Sequence, residues 1–311
     1  MTTLRVLLHV AAQRDFDLHT LDFSTAFLQG SLHEEIWLRR PRGFTGSFPE
    51  GTQWSLRWPV YGLRQTPHEG HDTLRMTLVA LGFAPSTADP SLFLRTDTSL
   101  PPFYILMYDD DLDFAIADTE ALALVKLERQ KRHTCTDLGE PHNYLGLQIT
   151  RDRARRTITL IQSHMVHQVL QLFGFQFSSP QSTPLPTGHS LSAPPLDESV
   201  EPSDPISSMG LMLGGRGPVV LTGNADASWV DDPATQRSSQ GYTFSLGSGF
   251  VSWRSIRSSS VLSSSCEAEI YAGAIAAQEL RWLTYLLTDL GEQPRSSPVL
   301  YVDDKAVIAL C

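Results

Sequence analysis

The chain has 311 residues, 41% of them hydrophobic and 19% charged, an ordinary globular balance with room for one or two sizeable cores. A net charge of −10 weighs against a general nucleic-acid binder, because phosphate contacts are made by cationic side chains. The three cysteines, Cys135, Cys266 and Cys311, form no C-x-x-C pair, so neither a disulfide framework nor a zinc site is suggested and a reducing compartment fits best.

The stretch 4–12 comes nearest to a signal-peptide core, but it is short, has Arg5 and Arg14 at its margins and reads instead as an amphipathic helix over 3–14. No apolar run approaches the roughly 18 residues needed to span a bilayer, so the expectation is a soluble, cytoplasmic or nuclear protein that is not secreted. An extended segment follows at 18–23, then strand and turn over 56–63. A helix over 68–81 ends at Gly82, a residue suited to a C-terminal cap. Strands are expected at 92–95 and 103–108, with 112–117 as the return strand of a hairpin, and 120–134 has helical spacing. Strands near 144–151 and 157–162 lead into a helix over 163–173.

Only Lys126, Lys131 and Lys305 represent lysine, and the densest basic segment is Arg151-Asp152-Arg153-Ala154-Arg155-Arg156. It reads first as a charged turn between two strands and second as a phosphate contact. Residues 178–217 turn to Pro, Ser and Gly, which marks a linker between a first domain, 1–177, and a second, 218–311. In the second, 219–225, 240–246 and 250–253 read as antiparallel strands, followed by a helix over 266–290 and a strand at 299–302.

Two constellations of acids carry chemistry. In Tyr108-Asp109-Asp110-Asp111-Leu112, three carboxylates sit at the tip of an apolar hairpin, a costly arrangement unless a cation such as Mg²⁺ neutralises it. Asp22, at the end of an apolar strand, is either a third ligand for that ion or a helix N-cap. Past the linker, Asp226 and Asp303 each end a strand, and Glu267 and Glu269 open a helix. Acids so placed are the material of a metal-dependent nuclease, although Glu in a first helical turn is also favoured by the helix dipole.

In order along the chain, several blocks resemble the reverse transcriptase of copia-type long-terminal-repeat retrotransposons, followed by the ribonuclease H of the same polyprotein. They are Leu21-Asp22-Phe23-Ser24-Thr25-Ala26-Phe27-Leu28-Gln29-Gly30, Val60-Tyr61-Gly62-Leu63-Arg64-Gln65-Thr66-Pro67, Ala88-Asp89-Pro90-Ser91-Leu92-Phe93 and Tyr144-Leu145-Gly146-Leu147. The resemblance implies an α+β polymerase palm, an antiparallel sheet with packed helices, followed by a truncated RNase H-like α/β domain. It implies Asp22, Asp110 and Asp111 as the palm acids that hold Mg²⁺ or Mn²⁺, and Gln65 and Tyr108 as nucleotide- and template-binding residues. Asp226, Glu269 and Asp303 then match three acids of the ribonuclease H set, and Glu267 becomes a flanking acid. The implied partners are an RNA or DNA template–primer, deoxynucleoside triphosphates and other parts of the polyprotein.

The departures are specific. Asp109 stands where the family's hairpin has an apolar residue, Gly70 where it has Trp and Asp304 where Asn is common. The fingers strands expected before residue 3, a thumb and connection segment expected near Pro205-Ile206 and a fourth nuclease acid are not in the sequence, so an incomplete and impaired copy is expected. A catalytically inactive relic that binds nucleic acid or protein is the competing expectation.

Overall fold

The computed structural model describes residues 1–22, 34–39, 49, 51–58, 60, 74–108, 111–116, 122–123, 126, 136–174, 210–232, 234–292 and 297–310. At Asp22, 111–116, 306, 309 and 310 it describes the backbone alone. The protein is a mixed α/β structure of small, mainly antiparallel sheets. Packing divides it into two compact units, one of Asp17–Ser86 with Pro90–Glu140 and one of Met1–Phe16, Thr87–Asp89 and Pro141–Cys311. Among the described residues no helix is long and apolar enough to cross a membrane.

The unit beginning at Asp17 contains β1 (Asp17–Asp22), β2 (Trp37–Arg39), β3 (Gln53–Ser55), β4 (Phe83–Pro85), β5 (Leu92–Arg95), β6 (Phe103–Tyr108), β7 (Asp111–Ile116) and β8 (Thr136–Gly139). Six of them form an antiparallel sheet in the order β4-β5-β6-β7-β1-β8, and β2 pairs with β3. Strand β6 is buried from Phe103 to Met107 and emerges only at Tyr108, which fits its unbroken apolar run. Leu74 and Leu78, one turn apart on the helical residues 74–80, join Leu21, Phe83, Phe93, Phe103, Ile105 and Met107 in its core. The Phe83 and Phe103 rings meet edge to face at 5.1 Å. Of the strand and turn expected over 56–63, residues 59 and 61–63 lie outside the described residues, and 56–58 and 60 hold no strand: the strand is Gln53–Ser55, with the Leu56 N–H still donating to the Ile36 carbonyl at 2.9 Å.

The other unit opens with α1 (Thr2–Arg14) and holds β9 (Asn143–Tyr144), β10 (Leu147–Asp152), β11 (Thr157–Ile161), α2 (Ser163–Leu172), β12 (Leu211–Gly214), β13 (Leu221–Asp232), β14 (Arg237–Leu246), β15 (Gly249–Arg257), α3 (Ser265–Asp289), β16 (Val299–Val302) and α4 (Lys305–Leu310). Its sheets run β12-β11-β10-β9 and β15-β14-β13-β16. Helix α1 is not the one-faced helix expected from sequence, because every residue from Val6 to Ala12 is buried. Strands β11, β12 and β15 pack against it, and Arg5, which is only partly buried, stacks over Trp253 at 3.9 Å and donates to the Val251 carbonyl at 2.9 Å.

The expected linker lies outside the described residues as far as 209. Its last part is corrected: Leu211–Gly214 is a strand paired with β11, because Leu213 completes a buried apolar layer that composition alone does not reveal. Helix α3 buries Ala268, Ala272 and Ala276 toward its start and Leu283, Leu286 and Leu287 toward its end, so its first half approaches the sheet closely. Opposite Phe244 on β14 stands Gly223, where a side chain would collide with the fully buried ring.

His9 sits fully inside this unit, and its Nδ1 accepts a hydrogen bond from the Gly214 N–H at 3.0 Å. The proton therefore resides on Nε2, which is buried with no hydrogen-bond partner. Burial depresses the His9 pKa from 6.5 to about 4. A depressed folded-state pKa leaves this contribution intact above pH 6.5 and removes it as the pH falls through about 4. Between pH 7 and 4 the protein should lose about 3 kcal/mol through this group. In His9→Gln, which accepts from Gly214 without titrating, urea midpoints should show a correspondingly shallower pH dependence.

Candidate functional site

The middle of one strand, the end of another and the start of a helix converge in the second sheet. The expectation that Asp226 ends a strand is corrected, because β13 runs on through it to Asp232 and Asp226 pairs with Gly241 of β14. Strand β16 runs parallel to β13 with Thr222 opposite Val299 and Ala225 opposite Val302, so the next residues, Asp226 and Asp303, are neighbours in register. Glu269 lies in the opening turns of α3, which packs on β13. One carboxylate oxygen from each of Asp226, Glu269 and Asp303 lies within 4.8 Å of the other two. Asp226 and Asp303 are exposed, whereas Glu269 is buried at 7% exposure.

The two oxygens of Glu269 differ. Oε1 accepts the backbone N–H of Ala227 at 3.0 Å, which ties the side chain to the strand carrying Asp226. Oε2 is buried and has no hydrogen-bond partner. Burial above all, and then the charges of Asp226, Asp303 and Asp304, push the Glu269 carboxyl above its usual pKa, partly offset by the Ala227 N–H. An unpartnered buried oxygen beside two exposed carboxylates is a donor set that fits a hard divalent cation.

The neighbouring acids do other work. Glu267 accepts from both the N–H and the hydroxyl of Ser263 at 2.6 Å, and its own N–H donates to the N-cap Ser264 hydroxyl at 3.1 Å. Those bonds from Ser263 lower its pKa and make it part of the helix start. The S-x-x-E spacing of Ser264 and Glu267 is the sequence signal for this cap. Asp304 accepts the Val307 N–H at 3.3 Å at the entrance to α4.

In the first sheet, β1 and β7 pair antiparallel with Asp22 opposite Asp111, and β6 and β7 with Tyr108 opposite Asp111. The backbone thus brings positions 22 and 111, far apart in sequence, directly across from one another. Tyr108 is exposed at the end of β6. Asp110 and Gln65 lie outside the described residues, as do the side chains of Asp22 and Asp111.

The model of the family described as reverse transcriptase (RNA-dependent DNA polymerase) matches residues 1–187, more than half of the chain. The chain belongs to this reverse transcriptase family. It is similar along its whole length to retrovirus-related Pol polyproteins of copia-type transposons. It is 27% identical to that of transposon TNT 1-94 from Nicotiana tabacum, covering 100% of this chain and 27% of the relative. For transposon RE2 from Arabidopsis thaliana the identity is 28%, covering 100% and 24%. The RE1 polyprotein of the same plant is 27% identical, again covering 100% and 24%. This reverse transcriptase chain therefore spans about a quarter of the length of the curated relatives it matches. The alignment with the first runs over 365 residues against 311 here, so that relative carries segments that this chain lacks.

Proposed function

We propose that the chain carries two phosphodiester chemistries of a retroelement Pol protein. One is hydrolysis of RNA paired with DNA, at Asp226, Glu269 and Asp303 in an RNase H-like domain over 218–311. The other is RNA-directed DNA synthesis on a polymerase palm, at Asp22, Asp110 and Asp111. The observation that carries the first reading is the convergence of three carboxylates on one spot, with a buried Glu269 oxygen left unpartnered.

Asp226, Glu269 and Asp303 would hold the cation. Bound there, Mg²⁺ or Mn²⁺ would lower the pKa of a water and offset the charge that develops on the scissile phosphate. The Ala227 N–H fixes one Glu269 oxygen and so orients the other. Exposure of Asp226 and Asp303 leaves the cluster open to a duplex. At the hairpin, the Asp22–Asp111 register supports a shared palm site. Family resemblance adds Asp110 as a ligand, with Gln65 and Tyr108 facing template and nucleotide. The partners are then a template–primer, deoxynucleoside triphosphates and other Pol segments.

Cleavage of the RNA strand of a labelled hybrid, measured with Mg²⁺ or Mn²⁺, should fall to background in Asp226→Asn. Primer extension on an RNA template should likewise be lost in Asp110→Ala, and equal extension by both proteins would reject that polymerase assignment. The additional segments of the aligned relative favour a second reading, an inactive copy that retains nucleic-acid binding. Hybrid binding without either activity, in the unaltered chain, would support it.

A further inference from the structure

Arg14, Arg156 and Arg216 lie far apart in sequence and line one open pocket of about 640 Å³, together with Gln13, Gly217 and Glu292. Their charges are not equally committed. Arg14 makes a two-pronged pair with Glu292 at 2.5 and 2.9 Å, and that carboxylate is only 8% exposed. Arg156 donates to the Gln13 carbonyl at 3.0 Å, and Arg216 to the Ala154 carbonyl at 2.9 Å. Backbone carbonyls hold a guanidinium in place without cancelling its charge. Among the described residues neither Arg156 nor Arg216 meets a carboxylate, and each guanidinium retains further N–H donors.

We propose that this pocket binds the phosphodiester backbone of a polynucleotide. A guanidinium's planar fork of donors matches phosphate oxygens, and two uncompensated guanidiniums in a chain of net charge −10 make a local site for a polyanion. The fold supplies a reason to choose a polynucleotide over a free phosphate. Glu269 lies near the start of α3, and Gly291 and Glu292, in the pocket wall, lie just past its end. At about 1.5 Å per residue, roughly 30 Å of helix separates them. That length is of the order of one duplex turn, about 34 Å in B-form DNA, so a hybrid of more than one turn lying along α3 is long enough to touch both the acid cluster and the pocket. That choice of ligand rests on the nuclease reading of the cluster, whereas the phosphate site itself does not.

The test is equilibrium binding of a fluorescein-labelled RNA–DNA hybrid to the full chain in EDTA, where hydrolysis plays no part. The double variant Arg156→Gln/Arg216→Gln should bind about 10-fold more weakly, and its log–log salt slope should be shallower by about 2, the loss of two phosphate contacts. Arg155→Gln, which removes an 84% exposed arginine beside Asp152 and outside the pocket, should change neither quantity comparably. Asp226→Asn should bind at least as tightly as the unaltered chain, which separates this site from the nuclease reading. In the unaltered chain the hybrid should protect Arg156 and Arg216 from phenylglyoxal, mapped by mass spectrometry. Unchanged affinity and slope in the double variant, or no protection, would overturn the proposal. Equal protection by inorganic pyrophosphate alone would overturn the polynucleotide assignment.

Discussion

Glu269→Gln is expected to stabilise the metal-free protein while cutting the proposed hydrolysis of the hybrid about 1,000-fold. Glu269 is buried beside Asp226 and Asp303, one of its oxygens has no partner, and its carboxyl is held above the usual pKa. A carboxyl with a raised folded-state pKa contributes fully below its ordinary value of 4.5, and that contribution is lost as the pH rises through the folded value. The metal-free chain should therefore weaken from this source between mildly acidic and neutral pH. Glutamine keeps an oxygen for the Ala227 N–H and carries no charge, so the melting temperature without metal should rise by a few degrees at pH 7. Millimolar Mg²⁺ should raise the melting temperature of the unaltered chain and leave the variant unmoved. Loss of one ligand should cost hydrolysis about 1,000-fold. A variant that melts lower in EDTA and still responds to Mg²⁺ would remove Glu269 from the site.

Gly214→Ala should be among the most damaging single changes. Its φ of +87° lies in the left-handed region, and an added Cβ would run into the Arg156 carbonyl oxygen and lie 2.6 Å from the Ala12 Cβ. Neither neighbour can yield easily. The first is backbone and the second belongs to a buried residue of α1. The Gly214 N–H also holds His9. Backbone strain and overpacking together should cost about 3 kcal/mol or more, read as a fall in the urea midpoint. Gly217→Ala, in the same region with nothing near its missing Cβ, should cost far less. Equal effects of the two would mean that 211–214 does not pack as described.

Much of this architecture is legible in the sequence where apolar periodicity is long and unbroken. Strands β5, β6 and β16 fall on the expected residues, and α3 is displaced by one residue at each end. The signal fails where a strand is short or polar. Thr136–Gly139 is mostly exposed and no element is expected there from the sequence, and Leu211–Gly214 is four residues set in a Gly-, Ser- and Pro-rich stretch. Its partner lies some fifty residues upstream, and no local pattern reports such pairing. The acids at 226, 269 and 303 stand out in the sequence because Asp226 and Asp303 each follow a strand-like run and Glu269 opens a helix, although β13 in fact continues past Asp226 to Asp232. What brings them together is the parallel pairing of β13 with β16, a long-range fact outside the reach of periodicity. The burial of α1 from Val6 to Ala12 is likewise invisible, since β11, β12 and β15, strands from two sheets, supply its cover.

Direct binding of Mn²⁺, followed by electron paramagnetic resonance in the unaltered chain and in Asp226→Asn/Asp303→Asn, tests the proposed metal centre most plainly. Saturable binding should appear in the first and weaken at least about 10-fold in the second, while Glu267→Gln, a change confined to the helix cap, should bind as the unaltered chain does. Identical isotherms for the unaltered chain and the double variant would contradict it.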